Sequence, residues 1–134
     1  MLLDILPKFI DGKIVLKEQD DSKATYANKL ISDDGKINWQ NNVESIERQI
    51  RALNPNPGTY TIWNGKRLQI LKAIFEICNH NFKSGMVLKA EKGFKIAGQN
   101  GFIIPLLIKL EGKKEIEPER FLHGYPKIIN AIVR

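Results

Sequence analysis

Covalent catalysis by a side chain needs a nucleophile beside a base that a third group orients. The chain offers few parts for such a device: His80 and His123 are its only histidines, and Cys78 is its only cysteine. His80 stands in a polar loop and His123 at the end of a predicted helix, places suited to solvated or capping side chains. Neither belongs to a Ser-His-Asp or Cys-His arrangement visible in the sequence. A lone cysteine can neither staple the fold nor close a zinc site, a usage that fits a reducing cytoplasm. Asp20-Asp21 and Asp33-Asp34 are adjacent carboxylate pairs, but they fall in linker or turn-forming sequence without metal-ligand spacing. Gly-rich phosphate loops of the Walker or Rossmann kind are absent. The residues predict no complete active site and no metal.

The chemistry that remains is charge. Residues 1–64 carry eight Lys/Arg against nine Asp/Glu, a balance of −1, whereas residues 65–134 carry thirteen against six, a balance of +7. Such an excess in one half suits a polyanion partner, through phosphate attraction and counterion release. A surface that merely keeps the protein dissolved accounts for the same count. The cations gather at turns. Lys66-Arg67 follow Asn64-Gly65, Lys89, Lys92 and Lys95 surround Gly93, and Lys113-Lys114 follow Gly112. Clusters at the rim of a small barrel are how such domains track a nucleic-acid backbone. Arg48 and Arg51, off the apolar stripe of a helix, are outlying candidates. Tyr60, Trp63 and Phe94 read as core rather than as base-stacking aromatics. That favours backbone and shape contacts, as with a folded RNA, and no DNA partner is expected.

These cations need elements to hold them. At 134 residues the chain can form one domain with a real core plus an appendage. No apolar run approaches the ~20 residues a membrane span needs. The start, Met1-Leu2-Leu3-Asp4-Ile5-Leu6-Pro7, lacks the basic lead-in of a signal peptide, so a cytoplasmic location without a membrane is expected. Leu2, Leu3, Leu6, Phe9 and Ile10 recur at helical spacing; Pro7 should kink or shorten that helix and Asp11-Gly12 should end it. Lys17 to Lys23 reads as a linker, and Asp33-Asp34-Gly35 as a turn. Val43, Ile46, Ile50 and Leu53 form one helical stripe, with Asn41 as the expected cap and Glu44 completing a capping box. Asn54-Pro55-Asn56-Pro57-Gly58 stops it.

Strand signals follow. Tyr60-Thr61-Ile62-Trp63 and Leu68 through Phe75 flank Asn64-Gly65, a pair that suits a type I′ hairpin turn. Met86-Val87-Leu88 is another short strand. Phe94 to Ala97 and Phe102 to Leu110 flank the second such pair, Asn100-Gly101. In the last strand Phe102, Ile104, Leu106, Ile108 and Leu110 should share a core face, and Pro105 marks an edge or a bulge. Glu117 to Gly124 reads as a short helix with Pro118 at its start. The apolar tail, Ile128 to Val133, should dock on the body or on a neighbour. The expected class is mainly β: an OB-like small β-barrel of five to six strands with one preceding amphipathic helix, plus a short N-terminal helix and linker.

Several stretches, in order, carry a resemblance. Ala24-Thr25-Tyr26-Ala27-Asn28-Lys29 resembles the junction segment of methionyl-tRNA formyltransferases, where the chain leaves the catalytic domain. Gly35 to Trp39 and Ile46 to Gly58, ending in Asn-Pro-x-Pro-Gly, are similar to that family's helix and turn. Asn64 to Leu68, Ser84-Gly85, Leu110 to Lys114, Phe121-Leu122 and Gly124 continue the match in order. The resemblance implies an OB-like C-terminal domain that helps hold initiator methionyl-tRNA. A separate upstream domain would transfer a formyl group from 10-formyltetrahydrofolate. It implies that residues 1–33 are the end of a catalytic-domain helix, Met1 to Asp11, and an interdomain linker, with residues 34–134 as the tRNA-binding domain. Asn28 stands where the family usually has Pro, and Asn56 where it has an aromatic. The family's catalytic Asn, His and Asp and its folate loop lie upstream of Met1, so none maps onto this chain and no cofactor site is expected in it. The same module occurs in formyltransferases acting on sugar nucleotides and in formyltetrahydrofolate dehydrogenases. Two alternatives stand beside tRNA binding: docking to a formyltransferase catalytic domain through Leu2, Leu3, Leu6 and Phe9, and an inactive remnant.

Overall fold

The computed structural model describes residues 2–15 and 17–134. Met1 and Leu16, both within the expected helix-and-linker segment 1–33, lie outside the described residues. Helix α1 (Leu2–Ile10) contains Pro7 and continues three residues beyond it, so the proline does not end it. Its stop is the expected glycine. Gly12 takes φ 67° and donates to Phe9 O at 3.1 Å, while Lys13 N donates to Lys8 O at 2.9 Å. This is a left-handed cap that satisfies the last carbonyls. Every residue of α1 is exposed.

Helix α2 (Val43–Leu53) buries the expected stripe, Val43, Ile46, Ile50 and Leu53. Its cap is not the expected one. Asn42 occupies the N-cap without a side-chain hydrogen bond, and Asn41 and Glu44 form no capping box. The free Val43 N–H instead donates to Asn100 Oδ1 at 2.9 Å, and Asn100 Nδ2 donates to Glu44 Oε2 at 3.0 Å. A side chain 57 positions away does the work that local sequence assigns to a neighbour. At the other end Asn54 Nδ2 donates to Ile50 O, Ile70 O and Leu71 O, pinning the last turn to the sheet. The Asn54-Pro55 and Asn56-Pro57 peptides are both cis.

The sheet comprises β1 (Tyr60–Trp63), β2 (Lys66–Ile77), β3 (Val87–Lys89), β4 (Phe94–Ala97), β5 (Gly101–Leu110) and β6 (Glu115–Ile116). It is antiparallel, in the order β1-β2-β5-β4-β3, with β6 pairing on β5. Asn64 (φ 48°) and Gly65 (φ 72°) form the expected hairpin turn. Asn100-Gly101 does not adopt it. There Gly98 N donates to Gly101 O at 2.8 Å, Asn100 turns to α2, and Gly101 opens β5 against Ile77.

Along β5 the expected single face fails. Pairing with β2 slips around Lys72 and Leu107, and the inward residues change from Ile103 and Pro105 to Ile108 and Leu110. Leu106 is therefore 38% exposed and Ile104 half-buried. A one-residue register shift moves every later side chain to the opposite face. Pro105 sits at this irregularity, but on a central strand rather than an edge. The two-residue β6 carried too little pattern to be expected.

The curled sheet is a half-barrel, and the tail seals it. Val133 N donates to Gly85 O at 2.9 Å, and Val87 N and O bond Ala131 O and Asn130 N. On the opposite edge Ile62 and Arg134 exchange backbone hydrogen bonds at 2.6 and 3.2 Å. Val133 and Ile128 are fully buried there. Helix α3 (Pro118–Gly124) lays Phe121 against Trp63 and Phe94, plugging the same core.

Asn100→Ala should cost about 1 kcal/mol in urea unfolding, the usual loss for a helix cap. The Asn100 amide, and then Glu44's own N–H, hold the Glu44 carboxyl below its usual range. Glu44 therefore stabilises the fold at neutral pH, and this is lost as pH falls through its folded titration, so the gap between wild type and variant should narrow in acid. Gly85→Ala should lower stability by at least about 1 kcal/mol in the same assay. Gly85 has φ 82°, and an added Cβ would strike Val133 O in the seam.

Candidate nucleic-acid interface

Sheet register decides which of the expected cations meet. Gly93, at φ 86°, lets the β3–β4 turn close with Ala90 N donating to Gly93 O at 3.2 Å. Lys89, Lys92 and Lys95 consequently line one open concavity of 800 Å³, floored by Ile74, Ile104 and Leu106. Glu76 and Glu91 line it too, which reduces its local charge. Lys95 is committed within it: Nζ lies 3.8 Å from Glu76 Oε2 and 3.9 Å from the Phe102 ring centre.

A second group forms at the end of β5. Leu68 pairs with Leu110, so Lys66-Arg67 lie beside the Glu111–Lys114 turn. Arg67 N donates to Glu111 Oε2 at 2.9 Å, and Glu111 N donates back to Arg67 O at 2.8 Å. The Arg67 guanidinium lies over Tyr60 at 4.4 Å from the ring centre, which orients it while leaving its N–H groups available. Lys113 and Lys114 border a smaller cavity of 290 Å³ against Phe121 and Tyr125. The seven rim cations thus form two groups rather than one. Glu117 and Glu119 lie beside Lys92 on the α3 side.

Arg48 and Arg51 join neither group. Arg51 Nε is 3.2 Å from Glu47 Oε1 on α2, beside a cleft lined by Ala73, Ile74 and Phe75. Tyr60, Trp63 and Phe94 are all buried, as expected of core. The acidic pairs have local employment. Asp20 caps a short 3₁₀ turn (Asp21–Lys23), and its carboxyl is held below the usual range by the Ser22 hydroxyl and then by Lys23. Asp34 Oδ2 accepts from Ile31 N at 2.8 Å.

His80 has a structural post rather than a solvated one. Phe82 N donates to Nδ1 at 3.2 Å, so the ring proton sits on Nε2 and donates to Gly101 O at 2.9 Å. The ring stacks on Phe102 at 4.5 Å between centroids. His123 is exposed near the end of α3. Sequence reading missed one group altogether: Lys36, Lys83 and Arg134 surround a cavity of 560 Å³. No sequence signal could have joined three cations from such distant segments. Among the described residues no cluster of three His, Cys, Asp or Glu could hold a metal ion, and no helix is long and apolar enough to cross a membrane.

Comparison with known proteins gives this geometry a family context. The family model described as "Formyl transferase, C-terminal domain" matches residues 29–126. A methionyl-tRNA formyltransferase from Dictyoglomus thermophilum is 37% identical over 129 residues, covering 93% of this chain and 41% of its own length. The Rickettsia bellii enzyme of that name is 36% identical over 121 residues, covering 90% of this chain and 39% of its own length. The chain therefore spans about two fifths of such relatives. In structure it is similar to HypX from Aquifex aeolicus solved with tetrahydrofolic acid, with a TM-score of 0.62 at 17% identity. That match covers 96% of this chain and 23% of HypX, a likeness of fold.

His80→Phe keeps a ring stacked on Phe102 but removes the partners of Phe82 N–H and Gly101 O, and should cost about 1 kcal/mol in urea unfolding.

Proposed function

The chain belongs to the formyl transferase C-terminal domain family, and we propose that it is the non-catalytic, tRNA-holding domain of a methionyl-tRNA formyltransferase-like protein. In this reading it grips initiator methionyl-tRNA while an upstream or separate domain transfers the formyl group. One observation carries it: Lys66, Lys89, Lys92, Lys113 and Lys114 stand on barrel rims and, among the described residues, make no ion pair. Unpaired rim cations can exchange their counterions for phosphates without first breaking a salt bridge. Lys95, Arg67, Arg48 and Arg51 complete the proposed set, with Lys95 and Arg51 restrained by Glu76 and Glu47. Rim lysines hold a backbone rather than read bases, so this domain contributes grip and leaves discrimination to the rest of the protein.

Formyl transfer from 10-formyltetrahydrofolate is assigned elsewhere. Neither histidine lines any of the concavities that hold the cations, which supports placing the transfer chemistry in another domain. A second reading rests on α1, whose Leu2, Leu3, Leu6 and Phe9 are all exposed. An apolar helix face of this kind suits docking against a formyltransferase catalytic domain.

A titration with initiator tRNA at low and physiological salt separates the two, with elongator tRNA and a sugar nucleotide as competitors. Binding should fall steeply with salt and differ little among tRNAs. Lys92→Gln and Lys113→Gln should each flatten the log–log salt slope by roughly one unit or less. An absence of tRNA binding even at low salt would overturn the tRNA reading and leave α1 docking as the function to pursue.

A further inference from the structure

The cavity around Lys36, Lys83 and Arg134 belongs to neither rim group, yet it is a place where cations converge with no acidic side chain among them. It measures 560 Å³, a nucleotide-sized space, and no Asp or Glu lines it. Among the described residues none of its three cations makes an ion pair. By contrast, both Glu76 and Glu91 enter the concavity at Lys89, Lys92 and Lys95.

The backbone beneath each cation is fixed. Ile37 N, next to Lys36, donates to Tyr60 O at 2.9 Å, and Lys36 O accepts from Gln49 Nε2 at 3.3 Å. Arg134 is held by its reciprocal bonds to Ile62. Lys83 and Ser84 lead into Gly85, which bonds Ala97 on one side and Val133 on the other. Ser84 and Gln40 add a hydroxyl and an amide to the wall. The floor is apolar: Ile37, Trp39 and Val133 are buried, and the Trp39 Nε1–H is already used at 3.1 Å by Thr61.

Three cations with no acidic side chain among them make a site for phosphate oxygens, whether of a singly charged diester or a doubly charged monoester, and the apolar floor gives a body attached to that anion somewhere to rest. We propose that this cavity is a nucleotide-phosphate site that seats one phosphate of an RNA strand. The assignment of RNA rests on the tRNA reading above; the phosphate chemistry rests on the cavity itself. From Ser84 to Lys89 the chain advances at most about 17 Å at roughly 3.3 Å per residue, so one strand can reach both this cavity and the Lys89 rim.

The test is a set of ¹H–¹⁵N spectra of the chain titrated at low salt with 5′-AMP, inorganic phosphate and adenosine. AMP and phosphate should saturably move the amides of Lys36 to Gln40, Ser84 and Arg134 together with the Trp39 indole N–H, while adenosine leaves them in place. Lys83→Gln combined with Arg134→Gln should weaken AMP at least tenfold, with the remaining spectrum unchanged as the control for folding. The same pair should flatten the tRNA salt slope by up to about two units. Shifts confined to Lys66, Arg67, Lys89 and Lys113, an adenosine effect equal to that of AMP, or no saturable shift at millimolar ligand would each overturn the site. Unchanged tRNA binding by the double variant, with the cavity silent, would refute this site and leave the tRNA reading standing. AMP held in the cavity without any tRNA binding would sustain the phosphate site and remove the RNA assignment.

Discussion

The half-barrel is held in shape by backbone pairing along its seam. A curled sheet of this order has two raw edges, β3 and β1, and each presents unpaired N–H and C=O groups that are costly to leave unmade. The tail from Asn130 to Arg134 lies against both, bonding Gly85 and Val87 on one side and Ile62 on the other. Its hydrogen bonds are reinforced by burial of Val133 and Ile128, which completes the apolar core begun by α2 and the inward faces of β2 and β5. Gly85 is bound into this arrangement twice over, by its positive φ and by the nearness of Val133 O. The Thr61 hydroxyl adds a buried polar link, accepting from Trp39 and donating to Arg134 O at 3.1 Å each.

A second constraint fixes α2 onto that barrel. Side-chain amides act at both ends, Asn100 at the first turn and Asn54 at the last, and each joins the helix to the sheet rather than to its own flank. A helix of eleven residues is marginal by itself, and its register on the sheet comes from burying one stripe while its ends are tied. Asn100 can do this because its turn is not a tight type I′ hairpin. Gly101 has already entered β5, close against Glu76 O, where a larger residue would collide. The glycine thus serves strand approach, and the asparagine beside it is released to cap α2.

The electrostatics follow from the same pairing. Register carries Lys66-Arg67 to the β5–β6 turn and places Lys89, Lys92 and Lys95 over an apolar floor. It also carries Glu76 to Lys95 and places Glu117 and Glu119 near Lys92. Domain-wide charge therefore overstates what any one rim presents. Around the seam the balance is different, because the chain brings three cations there and no acidic side chain. In the proposed function the domain supplies grip spread over several surfaces, each individually modest and sensitive to salt.

Much of this fold was legible in the sequence because it is written in local patterns. The stripe on α2, the Asn64-Gly65 turn, the left-handed stop at Gly12, Pro118 at the start of α3 and the β-rich class each depend on neighbours within a few residues, where periodicity and backbone sterics decide the outcome. The motif order from Ala24 to Gly124 gave the family, and the basic second half gave the kind of partner to seek. The rest depended on contacts between distant segments. Asn100 as the cap of α2, the change of inward face near Leu107 and the tail as seam arise from packing across the barrel, and no local pattern encodes them. The division of rim cations into two groups, the glutamates that restrain some of them, and the meeting of Lys36, Lys83 and Arg134 are likewise facts of register. Sequence sets which charges exist; Coulomb interactions fall with distance and are screened by salt, so only the tertiary structure decides which of them act together.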